Sequence, residues 1–327
     1  ISKGCQYAIV ECTSEGLAQN RHLGITFRTA LFTNLSPAHI ESHGSFEKYR
    51  AAKGKLFATL ASNNGTSSIG VNLDDPNQNY FLGFKSAHKF GVSMRSDTPK
   101  TDGIAVFVAE NVKVSDKIAF SVNEIEFNLR MFGTFNVTNA LLAIAAAKTL
   151  GISLEIAAEA LSNIGTVPGR METIAAPNGV TVVVDYAPEP AAMEASLNAV
   201  VLLPHSKIIH VFGSTGGHRD VAKRFTFGEI SAKAADTIII TNDDVYDSDP
   251  REIAQNIREG IDRADNKKVQ IVEVVLDRKE AIAHALKIAQ PEDIVLITGK
   301  GSEQFLVLPN NERITWDDRL IVKELLK

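Results

Sequence analysis

Four side chains that could act together on a metal or a phosphate group lie within residues 11–53: Glu11, His39, His43 and Lys53. The apolar residues 7–11 predict a buried strand ending at Glu11, and His39 follows a second predicted strand. Lys53 lies one to two turns into a helix predicted over residues 45–60, so Glu11, His39 and Lys53 could meet at one edge of a sheet. Carboxylate oxygen suits Mg²⁺ best, which favours Glu11 as a ligand. A surface carboxylate, a helix-capping histidine and a solvated lysine would fit the same pattern.

A second group of polar motifs follows predicted strands in the second half of the chain. Short Val/Ile-rich strands are predicted at residues 180–185, 207–212, 237–241, 269–275 and 293–298. Helices are predicted between and after them, at residues 191–202, 227–235, 250–263, 278–289 and 317–327. This alternation is typical of a parallel sheet covered on both faces, which binds ligands at the carboxyl ends of its strands. The polar motifs at those ends are residues 185–186, 213–220, 242–244 and 299–303.

The glycine-rich residues 213–217 read Gly-Ser-Thr-Gly-Gly. Closely spaced glycines let backbone N–H groups face an anion, so the segment suits a phosphate cradle or a plain tight turn. It matches neither the dinucleotide fingerprint nor a Walker A loop, which ends in Lys-Ser/Thr. Residues 299–301, Gly-Lys-Gly, have the wrong spacing for a Walker loop.

The first half of the chain mixes element types. A strand is predicted at residues 29–34, and the helix over residues 45–60 has Ser45 as its N-cap. Hairpins and an antiparallel edge are predicted within residues 61–130, and two helices at residues 137–150 and 154–162. Residues 165–169 read as a linker between two domains.

Composition excludes several classes of protein. The 327 residues carry a net charge of −5, which argues against a nucleic-acid-binding surface. Two cysteines are too few for a disulfide framework. No apolar run is long enough to span a bilayer, and no leader is visible, so we expect a cytoplasmic protein without membrane insertion. Because the chain opens at Ile1 and runs at once into a predicted strand, we expect it to begin inside a domain.

Eight blocks in order along the whole chain resemble the Mur ligase family, of the muramyl-tripeptide synthetase type: residues 11–21, 32–36, 39–53, 135–139, 167–172, 184–187, 218–224 and 299–303. The resemblance implies an α/β fold. Part of a central P-loop-type ATPase domain, without its phosphate loop, would occupy residues 1–166. A Rossmann-like, mostly parallel C-terminal domain would occupy residues 167–327, and an N-terminal nucleotide domain would lie outside this sequence.

The resemblance also implies residue roles. The catalytic and Mg²⁺-binding group would be Glu11, His39 and Lys53, with Lys53 carbamylated by CO₂. The muramyl peptide would be held by Thr13, Gln19 and Arg21. The incoming amino acid would be held by Arg219, Asp243, Asp244, Gly299 and Glu303. The ATP contacts would be Asn136, Asn139, Arg170 and Asp185. Residue type alone also allows a helix cap for Asn136, turn residues for Asp185 and Asp243, and a solvated linker residue for Arg170.

The implied activity is ATP-dependent amide-bond formation. UDP-muramyl dipeptide would be activated as an acyl phosphate, and the amine of diaminopimelate or L-lysine would displace phosphate, with Mg²⁺ neutralising the anions. The C-terminal domain would close over the ATP site, and a monomer is expected. Without a phosphate loop, we expect this chain alone to be inactive. Two alternatives are a cyanophycin- or polyglutamate-forming ligase of the same superfamily and a non-catalytic relative.

Three positions depart from the family pattern. Ala38 stands where the family usually has Asp, and Pro188 opens a Pro-Glu-Pro run where the family usually has His-Thr-Pro. Tyr246 stands where an Arg grips the distal carboxylate of diaminopimelate. An Arg-to-Tyr change removes a bidentate carboxylate clamp, so the amino acid stays open between diaminopimelate and L-lysine.

Overall fold

A computed structural model describes residues 4–37, 40–62, 65–99, 101–217 and 221–327. The chain divides into two compact units. The first unit comprises Ile1–Asn111, Phe120–Glu126 and Val137–Glu159, and the second comprises Val112–Ala119, Phe127–Asn136 and Ala160–Lys327. The domain boundary predicted after residue 166 stays a prediction.

The first unit is built on a parallel sheet of order β1-β2-β3-β4. Its strands are β1 (Thr29–Phe32), β2 (Ser68–Asn72), β3 (His88–Ser93) and β4 (Ile104–Val108). The helices that precede or connect them are α1 (Ser14–Ala18), α2 (Ile40–His43), α3 (Phe46–Ala58) and α4 (Gln78–Leu82), with a 3₁₀ turn at Thr59–Ser62. Every residue of β2 is buried, and Phe32 stacks on Phe81 in the core at a ring-centroid distance of 3.9 Å.

Two longer helices and a small sheet complete the middle of the chain. The helices are α5 (Phe135–Thr149) and α6 (Leu154–Asn163). The strands β5 (Glu110–Val114), β6 (Ile118–Val122) and β7 (Ile125–Leu129) form a three-stranded sheet of order β5-β6-β7. The residues of this sheet are divided between the two units.

Most of the predicted elements of this half are confirmed. The helix predicted over residues 45–60 is α3, and the hydroxyl of its predicted N-cap, Ser45, accepts a hydrogen bond from the Lys48 N–H at 3.2 Å. The two helices predicted after residue 136 are α5 and α6. The strand predicted at residues 29–34 is β1.

Two predictions for this half are wrong. Residues 7–11 form no strand, and the Tyr7 and Ile9 side chains are 62% and 101% exposed. An apolar run becomes a buried strand only where a neighbouring strand pairs with its backbone, and residues 7–11 have no such pairing in this structure. Residues 104–108 were expected in an antiparallel hairpin, but β4 lies parallel to β3. Helix α4 and the loops around it supply the crossover that parallel pairing of β2 and β3 requires.

The second unit contains a six-stranded sheet of order β12-β11-β10-β13-β9-β8. Its strands are β8 (Glu172–Ala175), β9 (Thr181–Val184), β10 (Ile208–Phe212), β11 (Thr237–Ile240), β12 (Ile271–Val274) and β13 (Ile294–Ile297). The helices are α7 (Pro190–Val201), α8 (Ala222–Ala234), α9 (Pro250–Arg263), α10 (Arg278–Ile288) and α11 (Asp318–Leu325). A hairpin, β14 (Phe305–Val307) with β15 (Arg313–Thr315), flanks a 3₁₀ turn at Pro309–Asn311.

The predicted mostly parallel sheet is confirmed for this unit. Strands β9 to β13 pair in parallel, and only the edge strand β8 pairs in the antiparallel sense, with β9. Val183 packs in one apolar core, while Val182 and Val184 pack in another, so alternate side chains of one strand are buried on opposite faces. Helices therefore cover both faces of the sheet. Within the described part of the chain, no helix has both the length and the apolar character needed to cross a membrane.

Candidate functional site

Lys53 lies on α3, and its amine reaches the loop that precedes α1. The Lys53 Nζ donates a hydrogen bond to the Cys12 carbonyl oxygen at 3.3 Å. Burial lowers the pKa of Lys53 below its usual value, and the negative charge of Glu11 opposes that shift only in part. The structure therefore brings Glu11 and Lys53 close enough to interact, as predicted. The third predicted member, His39, lies outside the described residues.

Two other polar groups around this loop, Thr13 and His43, have structural partners. The hydroxyl of Thr13 caps α1 by accepting a hydrogen bond from the Gly16 N–H at 3.1 Å. Gln19 is the C-cap of the same helix, and Arg21 is exposed just beyond it. His43 contacts the Ser14 hydroxyl through Nε2 at 3.0 Å, which supports a structural role for this histidine. Thr13, Gln19 and Arg21 thus lie at the two ends of α1, and their role in binding the muramyl peptide stays a prediction.

Asn136 and Asn139 lie three residues apart in the first turns of α5, on one helix face. The Asn136 side-chain amide donates to the Phe132 carbonyl oxygen at 2.8 Å. Asn136 therefore stabilises the turn that leads into the helix, which supports the capping interpretation, although the helix begins at Phe135 rather than at Val137. Asn139 is exposed, and its role as an adenine contact stays a prediction.

In the second unit a buried ion-pair network lies at the carboxyl ends of β11 and β13. The Lys300 ammonium is nearly inaccessible, with 1% of the side chain exposed. It donates to a carboxylate oxygen of Asp244 at 2.8 Å and to one of Glu303 at 2.6 Å. Burial alone would lower the pKa of Lys300, but Asp243, Asp244 and Glu303 raise it above the usual value. Lys300, which sequence reasoning did not select, therefore fixes two of the predicted amino-acid-binding carboxylates.

Tyr186 connects this network to Arg170. The Tyr186 hydroxyl donates to Glu303 at 3.3 Å, and the Arg170 guanidinium lies over the Tyr186 ring, 4.5 Å from its centroid. Burial and the neighbouring Glu303 carboxylate raise the pKa of Tyr186 to about 12, so the phenol stays protonated and keeps donating. Arg170 is exposed and stacked on an aromatic face rather than simply solvated.

Asp185 and Asp243 both follow strands but differ in their partners. One carboxylate oxygen of Asp185 accepts the Met171 N–H at 3.1 Å, and the other accepts the Ser196 hydroxyl. These bonds hold β9 to its neighbours, and a nucleotide contact for Asp185 stays a prediction. Burial raises the pKa of Asp243, while Arg278 and Lys300 partly oppose the shift.

Both the backbone conformation at residue 299 and its close approach to Asp243 require a glycine there. Its φ is +111°, a region that favours glycine, and an added Cβ would lie 2.6 Å from a carboxylate oxygen of Asp243. The Gly299 N–H donates to the Tyr186 carbonyl oxygen at 2.9 Å. The loops after β9, β11 and β13 therefore meet at this glycine, at the sheet edge where the carboxyl ends of the strands lie.

Arg278, also missed by sequence reasoning, lies beneath these loops. Its guanidinium forms a bidentate pair with Asp318 at 2.8 and 2.7 Å. It also donates to the carbonyl oxygens of Asn242 at 3.1 Å and Thr298 at 2.8 Å. The residues before Asp243 and before Gly299 are thus held by one buried cation.

The glycine-rich segment after β10 packs as a tight turn. An added Cβ on Gly216 would lie 2.1 Å from the Val245 carbonyl oxygen. The Gly216 N–H donates to the Asp244 carbonyl oxygen at 2.7 Å, and the Gly217 N–H to the Ser248 hydroxyl at 2.9 Å. These two donors are therefore used internally. Arg219, predicted to bind the amino acid, lies outside the described residues.

The Mg²⁺ site implied by the resemblance would be built around Glu11 and Lys53. Among the described residues, no group of three His, Cys, Asp or Glu side chains is arranged to hold a metal ion. Glu11 offers one exposed carboxylate beside Lys53, and a carbamate on Lys53 would add a second anionic oxygen group. Mg²⁺ commonly binds through one or two carboxylates together with phosphates and water, so this donor set fits the ion.

Comparisons with known proteins show to which family the chain belongs. The Mur ligase middle domain model matches residues 1–147, and the Mur ligase, glutamate ligase domain model matches residues 169–301. The UDP-N-acetylmuramoyl-L-alanyl-D-glutamate–2,6-diaminopimelate ligase of Clostridioides difficile (strain 630) is 36% identical over 334 residues, which cover 100% of this chain and 65% of the relative. The enzyme of that name from Bacteroides thetaiotaomicron is 34% identical, over 99% of this chain and 64% of its own length.

Solved structures show the same relationship. A structure with the same diaminopimelate-ligase name has a TM-score of 0.60 and 28% identity, over 99% of this chain and 65% of that chain. The MurF ligase of Thermotoga maritima in complex with ADP, at 19% identity, shares the fold with a TM-score of 0.63, over 88% of this chain and 61% of that chain. The chain thus spans just under two thirds of the length of these curated relatives. With both domain models matched in order and relatives similar along its whole length, the chain belongs to the Mur ligase family.

Proposed function

We propose that this chain forms the ATP-using and amino-acid-binding part of an amide ligase of peptidoglycan biosynthesis. The proposed substrates are ATP, UDP-N-acetylmuramoyl-L-alanyl-D-glutamate and a free diamino acid. The relatives' names support this activity. The observation that carries the proposal is the Lys300 network, which fixes Asp244 and Glu303 at the strand ends where parallel α/β sheets bind ligands.

The amino-acid pocket would recognise a cationic ligand. The Glu303 carboxylate accepts hydrogen bonds from Lys300 and Tyr186, and its side chain is still 42% exposed. It can therefore accept further hydrogen bonds from an ammonium group of a ligand. Asp243 lies beside it within the same network. Lys300 carries one positive charge against the two carboxylates of Asp244 and Glu303, and the nearby Arg278 is paired with Asp318. The pocket therefore keeps a net negative charge, which suits the amines of a diamino acid.

The pocket also bears on which diamino acid is used. The relatives are named for diaminopimelate, whose second carboxylate needs a cation. Tyr246, half-buried with a φ of +52°, stands where the family resemblance places an Arg. A tyrosine offers no bidentate clamp, and this favours L-lysine, which has no second carboxylate. Diaminopimelate and L-lysine are therefore the two substrates to compare.

The first unit would supply the phosphate chemistry. Burial lowers the pKa of Lys53, which increases the fraction of neutral amine that can attack CO₂ and become a carbamate. Lys53, Glu11 and His39 would then hold Mg²⁺. Bound Mg²⁺ would neutralise the crowded phosphate oxygens.

Remaining roles follow the family resemblance. Thr13, Gln19 and Arg21 would position the muramyl peptide, and Asn139 and Arg170 would contact the nucleotide. The D-glutamate carboxylate would attack the γ-phosphorus of ATP and release ADP. The amine would then add to the acyl phosphate carbon, and the tetrahedral intermediate would expel phosphate. The monomeric state and the cytoplasmic location stay predictions.

Calorimetric titration of the chain with single amino acids tests the proposal. We expect saturable binding of L-lysine or diaminopimelate, a loss of at least tenfold in affinity in Glu303→Gln, and no change in the exposed control Glu312→Gln. Absence of binding by both diamino acids would contradict the proposal. Binding of aspartate, arginine or glutamate instead would favour a cyanophycin- or polyglutamate-forming ligase.

A further inference from the structure

A cavity lies at the amino ends of the strands of the first unit. The loops that follow these strands lie at the other edge of the sheet. It has a volume of about 540 Å³, within the range of roughly 300–1,000 Å³ that small-molecule pockets occupy. Its wall includes Arg28, which precedes β1, Ser68 and His88, which open β2 and β3, and the last turns of α5. None of the residues assigned to the proposed ligase activity lines it.

The charged groups of this cavity are all basic. Arg28, His88, Lys89 and Lys148 line it, and no Asp or Glu does, although the chain as a whole carries a net charge of −5. The side chains of Arg28 and His88 form no hydrogen bond or ion pair with any other residue that the structure describes. Lys89 follows the cavity-lining His88 and precedes the cavity-lining Phe90 in β3, so its side chain lies on the opposite face of the sheet, where its ammonium donates to the Leu82 carbonyl oxygen at 2.6 Å.

Two features oppose this positive charge, and both are small. Lys148 interacts with Glu155, but Glu155 is fully exposed, so solvent screens that interaction. Helix α5 ends at Thr149, and a helix C-terminus carries roughly half a negative charge. The two cations Arg28 and Lys148 outweigh that partial charge. The cavity therefore suits an anion.

The rest of the wall indicates what the anion is attached to. Phe90 and Phe107 line the cavity, with their rings edge to face at a centroid distance of 6.4 Å. Ala87, Ala105 and Ala145 add small apolar surface. An aromatic and aliphatic surface beside a cationic one matches an amphipathic ligand rather than a bare ion.

We propose that this cavity binds a phosphate ester with a flat or apolar organic part. The phosphate oxygens would accept hydrogen bonds from Arg28, His88 and Lys148, since guanidinium and ammonium groups are the usual phosphate partners in proteins. The organic part would lie against Phe107. The site shares no residue with the amino-acid pocket or the Lys53 loop, so we assign it a ligand other than the reactants.

Calorimetry with phenyl phosphate, inorganic phosphate and phenol tests this site. We expect one-to-one binding of phenyl phosphate that weakens as NaCl is raised, binding of inorganic phosphate at least tenfold weaker, and none of phenol. The double variant Arg28→Gln/Lys148→Gln should lose at least tenfold in phenyl phosphate affinity, and Lys85→Gln, an exposed cation of the same unit outside the cavity, less than twofold.

Three results would overturn the proposal. These are no saturable binding of phenyl phosphate, equal affinity in the wild type and the double variant, or inorganic phosphate that binds as tightly as phenyl phosphate. The last result would remove the organic part of the assignment. Arg28 and Lys148 are exposed, and thermal unfolding followed by circular dichroism verifies that both variants keep the fold.

Discussion

Replacing Arg278 with methionine should destabilise the second unit by about 3–5 kcal/mol, a large part of the ~5–15 kcal/mol that stabilises a typical domain. The Arg278 and Asp318 side chains are both 0% exposed, and their two hydrogen bonds are 2.8 and 2.7 Å long. Methionine fills similar space but leaves the Asp318 carboxylate charged, buried and without a counter-ion. The carbonyl oxygens of Asn242 and Thr298 also lose their donor.

The double variant Arg278→Met/Asp318→Asn separates the charge from the hydrogen bonds. Asparagine removes the buried charge and still accepts the Trp316 indole N–H, which lies 2.8 Å from Asp318. We expect this variant to be more stable than Arg278→Met by about 2 kcal/mol, while the carbonyl oxygens without donors keep it below the wild type by about 1–3 kcal/mol. The exposed pair Arg263 and Glu259 provides the matched control, since Arg263→Met should cost less than about 1 kcal/mol.

Urea unfolding followed by the fluorescence of Trp316 measures these differences, because this is the single tryptophan of the chain and lies beside the pair. Arg278→Met within 1 kcal/mol of the wild type would refute the reasoning. So would a double variant no more stable than the single one, because the unpaired charge would then not be the cause.

Three further predictions concern single groups. Burial and Arg278 lower the pKa of His210 to about 3, against about 6.5 in the unfolded chain. The neutral imidazole therefore contributes to the free energy of unfolding above pH 6.5, and this contribution is lost as the pH falls. Between pH 7 and pH 5, urea unfolding should show a loss of unfolding free energy about 2 kcal/mol larger in the wild type than in His210→Gln. Acetylation of Lys53, followed by mass spectrometry across pH, should have its midpoint below the ordinary lysine value of 10.5, and a midpoint at or above it would contradict the burial effect. In urea unfolding, Gly299→Ala should lower the free energy of unfolding by about 1–3 kcal/mol more than Gly103→Ala does. Both glycines have a positive φ, but of the two only Gly299 has neighbouring atoms within 4 Å of an added Cβ. Equal losses in the two variants would show that the clash has no effect.

The sheet of the second unit could be predicted because its signal is local. Strands of four or five apolar residues alternate with amphipathic helices, and parallel pairing follows from that order. The positions of Asp243 and Gly299 could be predicted for the same reason. Each follows a strand, and the carboxyl ends of these two strands lie at the same edge of the sheet. Residues 7–11 have the same apolar character but no pairing in this structure, which composition alone does not reveal.

The partners of the buried cations could not be predicted, because they come from distant parts of the chain. Lys300 pairs with Asp244, 56 residues away, and Arg278 with Asp318, 40 residues away. In the sequence, Arg278 looks like an ordinary first residue of a helix, and Lys300 like a fragment of a phosphate loop. Only the packing of α10, α11 and the strand ends shows that each is inaccessible and paired with carboxylates.

The two lysines of the candidate sites show why neighbours, rather than residue type or burial, decide their chemistry. Burial disfavours the charged form of both Lys53 and Lys300. Around Lys300, three carboxylates reverse the effect, so its ammonium stays charged and serves as a fixed cation. Beside Lys53, the only carboxylate among the causes of its pKa shift is the exposed Glu11, which is too weakly coupled to compensate, so the amine loses its proton more readily. The same side chain is therefore more readily deprotonated in one unit and is held as a cation among carboxylates in the other. Exchange of these roles would require moving carboxylates, not lysines.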